Sequence, residues 1–118
     1  YRRQRQMCIR DSHNVADKAI IETCLLTEKE KIRVCEIAKE TRPAYIKTST
    51  GNRKAGATVE DVRLIRSVVG DTCKIKAAGG IRTWYIALAM IEAGANRLGT
   101  SSAKKILDGY QLYLDSLK

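Results

Sequence analysis

Lys74-Ile-Lys-Ala-Ala-Gly-Gly-Ile-Arg-Thr83 places three structural signals in one stretch. Lys74–Ala77 reads as a short strand, Gly79-Gly80 gives its exit loop two residues without Cβ atoms, and Thr83 opens a strongly apolar helix that runs to Ala93. The same order of strand, polar exit and helix recurs on both sides. Upstream, Lys18–Thr23 reads as a strand and Thr27-Glu-Lys-Glu30 as a capping box, in which the Thr hydroxyl and the Glu carboxylate satisfy each other's backbone N–H. The helix that follows runs to about Thr41, with Ile32, Cys35, Ile37 and Ala38 as its inward stripe and Glu28, Lys31, Arg33 and Glu36 mostly on the solvated face. Pro43 blocks its continuation. Ala44–Thr48 is the second strand, and a polar loop from Ser49 to about Ala57 leads to a helix that starts at Thr58 and buries Val62, Ile65, Val68 and Val69. Gly70 ends that helix as a left-handed cap. Beyond Gly94, Asn96–Leu98 is a fourth strand, and Gly99-Thr-Ser-Ser102 leads into a last helix carrying Ile106, Leu107, Tyr110 and Leu114.

The resulting βαβαβαβα order is that of an α/β protein with a parallel sheet, either doubly wound or part of a (β/α)8 barrel. No G-x-G-x-x-G follows the first strand, which counts against a dinucleotide-binding sheet. A complete barrel takes about 250 residues, and the chain has 118. The expected fold is therefore half a barrel. Its first and last strands are left with unpaired edges, which favours self-association unless a partner completes the sheet.

Composition narrows the class of partner. The chain has 22 Lys plus Arg against 13 Asp plus Glu, a net charge of +9. Arg2, Arg3, Arg5 and Arg10 against Asp11 supply three of those charges within residues 1–12, a basic tail without helix or strand periodicity, so 13–118 is read as the folded domain. Only one Trp, and Tyr residues placed mainly on helices, leave no interleaved stacking platform for single-stranded nucleic acid. The longest apolar run, Trp84–Ile91, is too short to span a bilayer, and the N-terminus has no signal-peptide core. Cys8, Cys24, Cys35 and Cys73 form no C-x-x-C pair and His13 is the only histidine, so neither a zinc site nor any other metal site is expected. Cys35 on the apolar stripe reads as a buried free thiol, and the whole as a soluble cytoplasmic protein.

Lys47 and Lys76 sit near the C-terminal ends of consecutive strands, about 4.8 Å apart if those strands pair. An amine beside a second cation, partly out of water, loses some preference for its charged form. That makes a nucleophile for Schiff-base chemistry on a carbonyl. The alternative is that such lysines guard exposed strand edges. The exits of the third and fourth strands, Gly79-Gly80 and Gly99-Thr100-Ser101-Ser102, present N–H groups and hydroxyls at helix starts, a composition suited to an anion.

Ile20-Ile-Glu-Thr23, Tyr45-Ile-Lys-Thr-Ser-Thr-Gly51, Ala57-Thr-Val-Glu-Asp-Val62, Ile75-Lys-Ala-Ala-Gly-Gly-Ile-Arg-Thr83, Ala89-Met-Ile-Glu-Ala-Gly-Ala95 and Leu98-Gly-Thr-Ser-Ser102 together resemble the C-terminal half of deoxyribose-phosphate aldolase. The resemblance covers roughly residues 18–107 and makes these the last four βα units of that family's TIM barrel. It implies a class I aldolase that interconverts 2-deoxy-D-ribose 5-phosphate with acetaldehyde and D-glyceraldehyde 3-phosphate, with no cofactor. It further implies Lys47 as the Schiff-base nucleophile and Lys76 as the neighbouring ammonium that lowers its pKa. Gly51, Gly79, Gly80, Gly99, Ser101 and Ser102 align with the phosphate-binding loops, with Arg82 adding charge. The implied partner is a small phosphorylated aldose, with no nucleic acid and no membrane.

The chain also departs from the family. The first four strands, and the catalytic aspartate the family draws from one of them, have no counterpart here. Thr41-Arg-Pro-Ala44 stands where a Gly is expected, and Asn52-Arg-Lys54 is unusually basic. The expectation is a chain that carries the nucleophile and phosphate cradle but is weakly active or inactive alone. A non-catalytic phosphate-binding half-barrel is the competing reading.

Overall fold

The computed structural model describes residues 18–49 and 56–118; the basic tail and Gly51 lie outside the described residues. Strands β1 (Lys18–Ile20), β2 (Tyr45–Lys47), β3 (Lys74–Ala78) and β4 (Arg97–Gly99) alternate with helices α1 (Glu28–Thr41), α2 (Val59–Val69), α3 (Trp84–Ala93) and α4 (Ala103–Ser116). All strand pairs are parallel and their order is β1-β2-β3-β4, so β1 and β4 are the edges. Each helix packs on the next along the chain.

Most elements begin where side-chain chemistry says they should. The Thr27–Glu30 capping box is present in both directions at α1, and Thr58 and Thr83 accept from the third backbone N–H of α2 and α3. Several boundaries differ. β1 stops at Ile20 because Glu22 turns left-handed and leads into a short 3-10 turn, Thr23–Leu25; the N–H groups of Ile21 and Thr23 still donate to Lys47 and Thr48. β4 starts at Arg97, one residue late. Asn96 bonds β3 from outside the strand, its N–H donating to the Ile75 carbonyl and its side-chain oxygen accepting from the Ile75 N–H. Gly70 has φ +57 but ψ −128, a positive-φ cap outside the left-handed helical well.

One sheet face carries Ile46, Ile75 and Ala77, all fully buried under the helices. Cys35 and Ala38 of α1, Val62, Ile65 and Val69 of α2, Ala87 and Met90 of α3 and Ile106 of α4 complete this core. Burying each of the larger side chains contributes roughly 1.5–3 kcal/mol. Ile32 and Ile37 are only half-buried, so the inward stripe of α1 is narrower than expected. Lys31 is not solvated either: its ammonium lies 2.7 Å from the Asp61 carboxylate and ties α1 to α2. In α4, Leu107 and Tyr110 are exposed and only Ile106 is buried.

Cys35 and Cys73 lie buried in this core as thiols, and Cys24 is free and exposed. Burial, with Cys73 beside it, pushes the Cys35 thiol up to about 11. A raised folded-state pKa stabilises fully below the ordinary thiol value and loses that contribution as pH rises through the folded value. Alkaline solution therefore weakens this core.

At the N-terminal end of the sheet, the Arg66 guanidinium donates to the carbonyls of Gly70 and Gly94, both at 2.6 Å, and to the Asn96 side-chain oxygen at 2.6 Å. One side chain thus joins the end of α2 to the turn between α3 and β4. Arg66→Ala leaves these acceptors to water, and a loss of about 1–3 kcal/mol is expected. Urea unfolding of the variant measures it; an unchanged midpoint contradicts this role.

Candidate active site

Side chains alternate across a strand, so the register assigns the second sheet face. Ile20, Lys47, Lys76 and Arg97 align in one row across all four strands, and Lys18, Tyr45 and Lys74 align in the row before it. Helices cover the opposite face; this one carries Lys18, Lys47, Lys74, Lys76 and Arg97, and no carboxylate among its strand residues. Lys47 and Lys76 are direct register partners on the two central strands. Edge guarding therefore does not explain them.

Lys76 is held below the ordinary lysine range. The largest cause is the Lys18 ammonium, then partial burial, then Lys47 and Arg97. Tyr45 lies among these cations, with Arg97 Cζ 4.8 Å and Lys74 Nζ 5.9 Å from its ring centroid. Gly99 makes room for the Lys76 stem: a Cβ there would stand 3.2 Å from Lys76 Cε and 2.9 Å from Ala78 Cβ. Gly99→Ala is expected to cost about 1–3 kcal/mol by overpacking and to displace the Lys76 amine. A lower urea midpoint together with altered Lys76 reactivity checks this; a change in neither contradicts it.

The loops past the strand ends are held by side chains that replace the ended ladder. Thr48 Oγ1 accepts from the Ala78 N–H at 3.1 Å and Ser49 Oγ donates to the Ala78 carbonyl at 2.6 Å, both hydroxyls being buried. Ala57 donates to the carbonyls of Ala78 and Gly79, which brings the chain entering α2 back onto β3. Gly79 and Gly80 both have positive φ, and Gly79 lies against Gly56 so closely that a Cβ on Gly56 would clash with the Gly79 carbonyl carbon. Thr100 Oγ1 donates to the Ile81 carbonyl at 2.6 Å and accepts from the Ser102 N–H at 2.9 Å. The two glycine-bearing exits are therefore joined.

The structure thus brings Lys47 and Lys76 together, and it joins the loops of Gly79, Gly80 and Arg82 to those of Gly99, Ser101 and Ser102. Arg82, Gly80 and Ser101 are exposed; Ser102 is half-buried and makes no side-chain cap to α4. No motif assigns a role to Lys18, Tyr45, Lys74 or Arg97, although the two-residue period from Lys47 and Lys76 places Tyr45 and Lys74 on the same face. Thr48, Ser49 and Thr100 likewise carry no assigned role in the motifs that hold them, although their hydroxyls follow strand ends. Among the described residues no group of three His, Cys, Asp or Glu is placed to hold a metal ion. No helix among them is long and apolar enough to cross a membrane.

No family model matches the sequence. Among curated proteins, the deoxyribose-phosphate aldolase of Thermococcus gammatolerans is 65% identical over 92 residues, which are 78% of this chain and 41% of that protein. The chain matches the C-terminal half of deoxyribose-phosphate aldolase. Among solved structures, the aldolase QR15 superposes with a TM-score of 0.79 at 44% identity, covering 86% of this chain and 46% of that one. The deoxyribose phosphate aldolase of Aeropyrum pernix, described as a unique tetrameric structure, gives 0.81 at 28% identity over 92% of this chain and 47% of its own. The chain therefore spans about half the length of the aldolases it matches, and its four parallel strands correspond to half of their barrel. Placed in that barrel, the helix-covered face is the outer one and the lysine face lines the interior.

Proposed function

We propose that the chain carries the Schiff-base and phosphate-binding half of a 2-deoxy-D-ribose 5-phosphate aldolase. The observation that carries this reading is the in-register pairing of Lys47 and Lys76 on the central strands, beside two joined glycine-bearing loops. The 65% identity to an aldolase supports it. Lys47 acts as a neutral amine on C1 of the open-chain sugar; water leaves and a protonated imine forms. The C2–C3 bond then breaks as the O3 proton is removed, releasing D-glyceraldehyde 3-phosphate and leaving an enamine on Lys47. Protonation at C2 and return of the water free acetaldehyde and the amine. Lys76 accepts the proton that Lys47 must lose before it attacks.

The strand residues of this face supply amines, a guanidinium and a phenol, but no carboxylate to take the O3 proton. Imine formation is therefore expected to outlast turnover in this chain alone. The phosphate is held by the loops of Gly79, Gly80, Gly99, Ser101 and Ser102, with Gly51 and Arg82 contributing. Among the described residues β1 and β4 are the sheet edges, and Leu107 and Leu112 of α4 and Leu117 just past it are exposed, which supports self-association.

Borohydride reduction in the presence of 2-deoxyribose 5-phosphate tests the assignment. The expected result is a stable adduct by intact mass whose yield falls when inorganic phosphate competes. Phosphate binding without any adduct would instead favour the non-catalytic half-barrel.

A further inference from the structure

The Tyr45 ring and the Arg97 guanidinium meet across a strand that belongs to neither. Tyr45 stands on β2 in the row of Lys18 and Lys74, and Arg97 on β4 in the next row, with Lys47 and Lys76. β3 lies between them, so their backbones are two strand spacings apart, about 4.8 Å each. Arg97 Cζ is nevertheless 4.8 Å from the Tyr45 ring centroid. The contact therefore crosses β3 at the level of Ile75, whose side chain is buried on the opposite face, and passes between Lys74 and Lys76. Lys74 Nζ lies 5.9 Å from the same ring, on one side of the crossing. On the other side the Lys76 stem leans toward β4 and forward, since a Cβ on Gly99, two residues past Arg97, would stand 3.2 Å from Lys76 Cε.

The two partners suit such a crossing. A guanidinium keeps its charge at any working pH and stacks flat on an aromatic face, and a cation within about 6 Å of a ring is attracted by that face. Tyr45 is half-buried and Arg97 exposed, so the ring is the fixed member and the guanidinium the one held. The strand residues facing Lys76 are Lys18 from β1, Tyr45 and Lys47 from β2, Lys74 from its own strand and Arg97 from β4. Arg97 follows Lys18, partial burial and Lys47 among the causes that hold the Lys76 amine below the ordinary lysine range.

We propose that Arg97 is a positioning residue of the site, held by the Tyr45 ring as a bar across β3 that keeps the Lys76 side chain apart from Lys74 and directed forward, toward the glycine-bearing loops. Arg97 touches no reacting atom and acts through Lys76. The consequence for Lys47 rests on the aldolase reading; the bar itself does not, and it is measurable without substrate.

Competitive labelling of the whole chain with trace acetic anhydride across a pH series, read by peptide mass, tests this. Lys104, almost fully exposed, is the internal reference, and an unreactive Cys35 in the same sample certifies the fold. Wild-type Lys76 is expected to become reactive at lower pH than Lys104. Arg97→Met should lower Lys76 labelling near neutral pH by about three- to tenfold. Tyr45→Leu, which keeps the arginine but frees it, should shift Lys76 the same way by about threefold, and Tyr45→Phe, which keeps the ring face, should restore the wild-type profile. The double variant of Tyr45→Leu with Arg97→Met should be no worse than Arg97→Met alone, because the two residues act as one unit. Arg97→Gln and Tyr45→Met replace any variant in which Cys35 becomes reactive. The proposal is overturned if Arg97→Met leaves the Lys76 profile unchanged, or if Tyr45→Phe alters it as much as Tyr45→Leu. The expected labelling pattern without any trapped sugar adduct would uphold the bar and count against the aldolase reading instead.

Discussion

Lys47→Ala is expected to abolish the borohydride-trapped adduct, a fall of at least about 100-fold, because the variant removes the amine that forms the imine. Lys76→Leu is expected to slow trapping rather than abolish it. The variant removes a cation and a proton acceptor but leaves the amine that attacks. The pH dependence carries the sign of the Lys76 shift. Its pKa is lowered, chiefly by Lys18, so its neutral form persists below the ordinary lysine range. Trapping should therefore continue toward neutral pH and decline as pH falls through the Lys76 value. Intact mass after timed reduction measures all three. If Lys47→Ala is trapped at the wild-type rate, Lys47 is not the nucleophile.

Gly79→Ala is expected to be among the most damaging single changes in the chain, at about 3 kcal/mol or more. Two costs add. At φ +94 any Cβ is strained, by about 1–2 kcal/mol. The new methyl would also stand 2.8 Å from Gly56 Cα and 2.9 Å from Ser49 Oγ, and the first of these is backbone that cannot rotate away. Ser49 bonds the Ala78 carbonyl, so the displacement reaches the strand end beside the active row. Gly80→Ala is the control, since Gly80 also has positive φ but a Cβ there meets nothing within 4 Å. It should cost only the backbone part, about 1–2 kcal/mol. Urea midpoints of the pair separate the two contributions. Equal losses would show that the contact with Gly56 does not hold the loop.

Much of this architecture is readable from local chemistry. Thr27, Thr58 and Thr83 mark helix starts because a hydroxyl can satisfy only a nearby orphan N–H, and that relation lies within four residues of sequence. Strand lysines at equivalent places near two glycine-rich exits expose the pairing of Lys47 with Lys76. Other features depend on distant segments. The partnership of Lys31 with Asp61 and the convergence of Arg66 on Gly94 and Asn96 join residues about thirty positions apart, and no periodicity encodes them. Leu107 and Tyr110 follow a helical apolar pattern, yet α4 is the last helix described and has a neighbour on one side only.

Charge on the interior face was the least legible feature. Lys18, Lys74 and Arg97 look like ordinary surface residues on short strands. Only the register shows that they share a face with Lys47 and Lys76 and that the opposite face is the buried one. From its place in the sequence, Lys76 is the neighbour that tunes Lys47. In the structure Lys76 is itself tuned, first by Lys18.

In this mechanism one amine of the lysine row attacks and its register partner takes the proton. Peptide mapping of the adduct formed by the wild-type chain with 2-deoxyribose 5-phosphate and borohydride tests it most directly. The expected result is the reduced sugar on Lys47, with Lys76 unmodified. A reduced adduct carried by Lys76, with Lys47 unmodified, would contradict it.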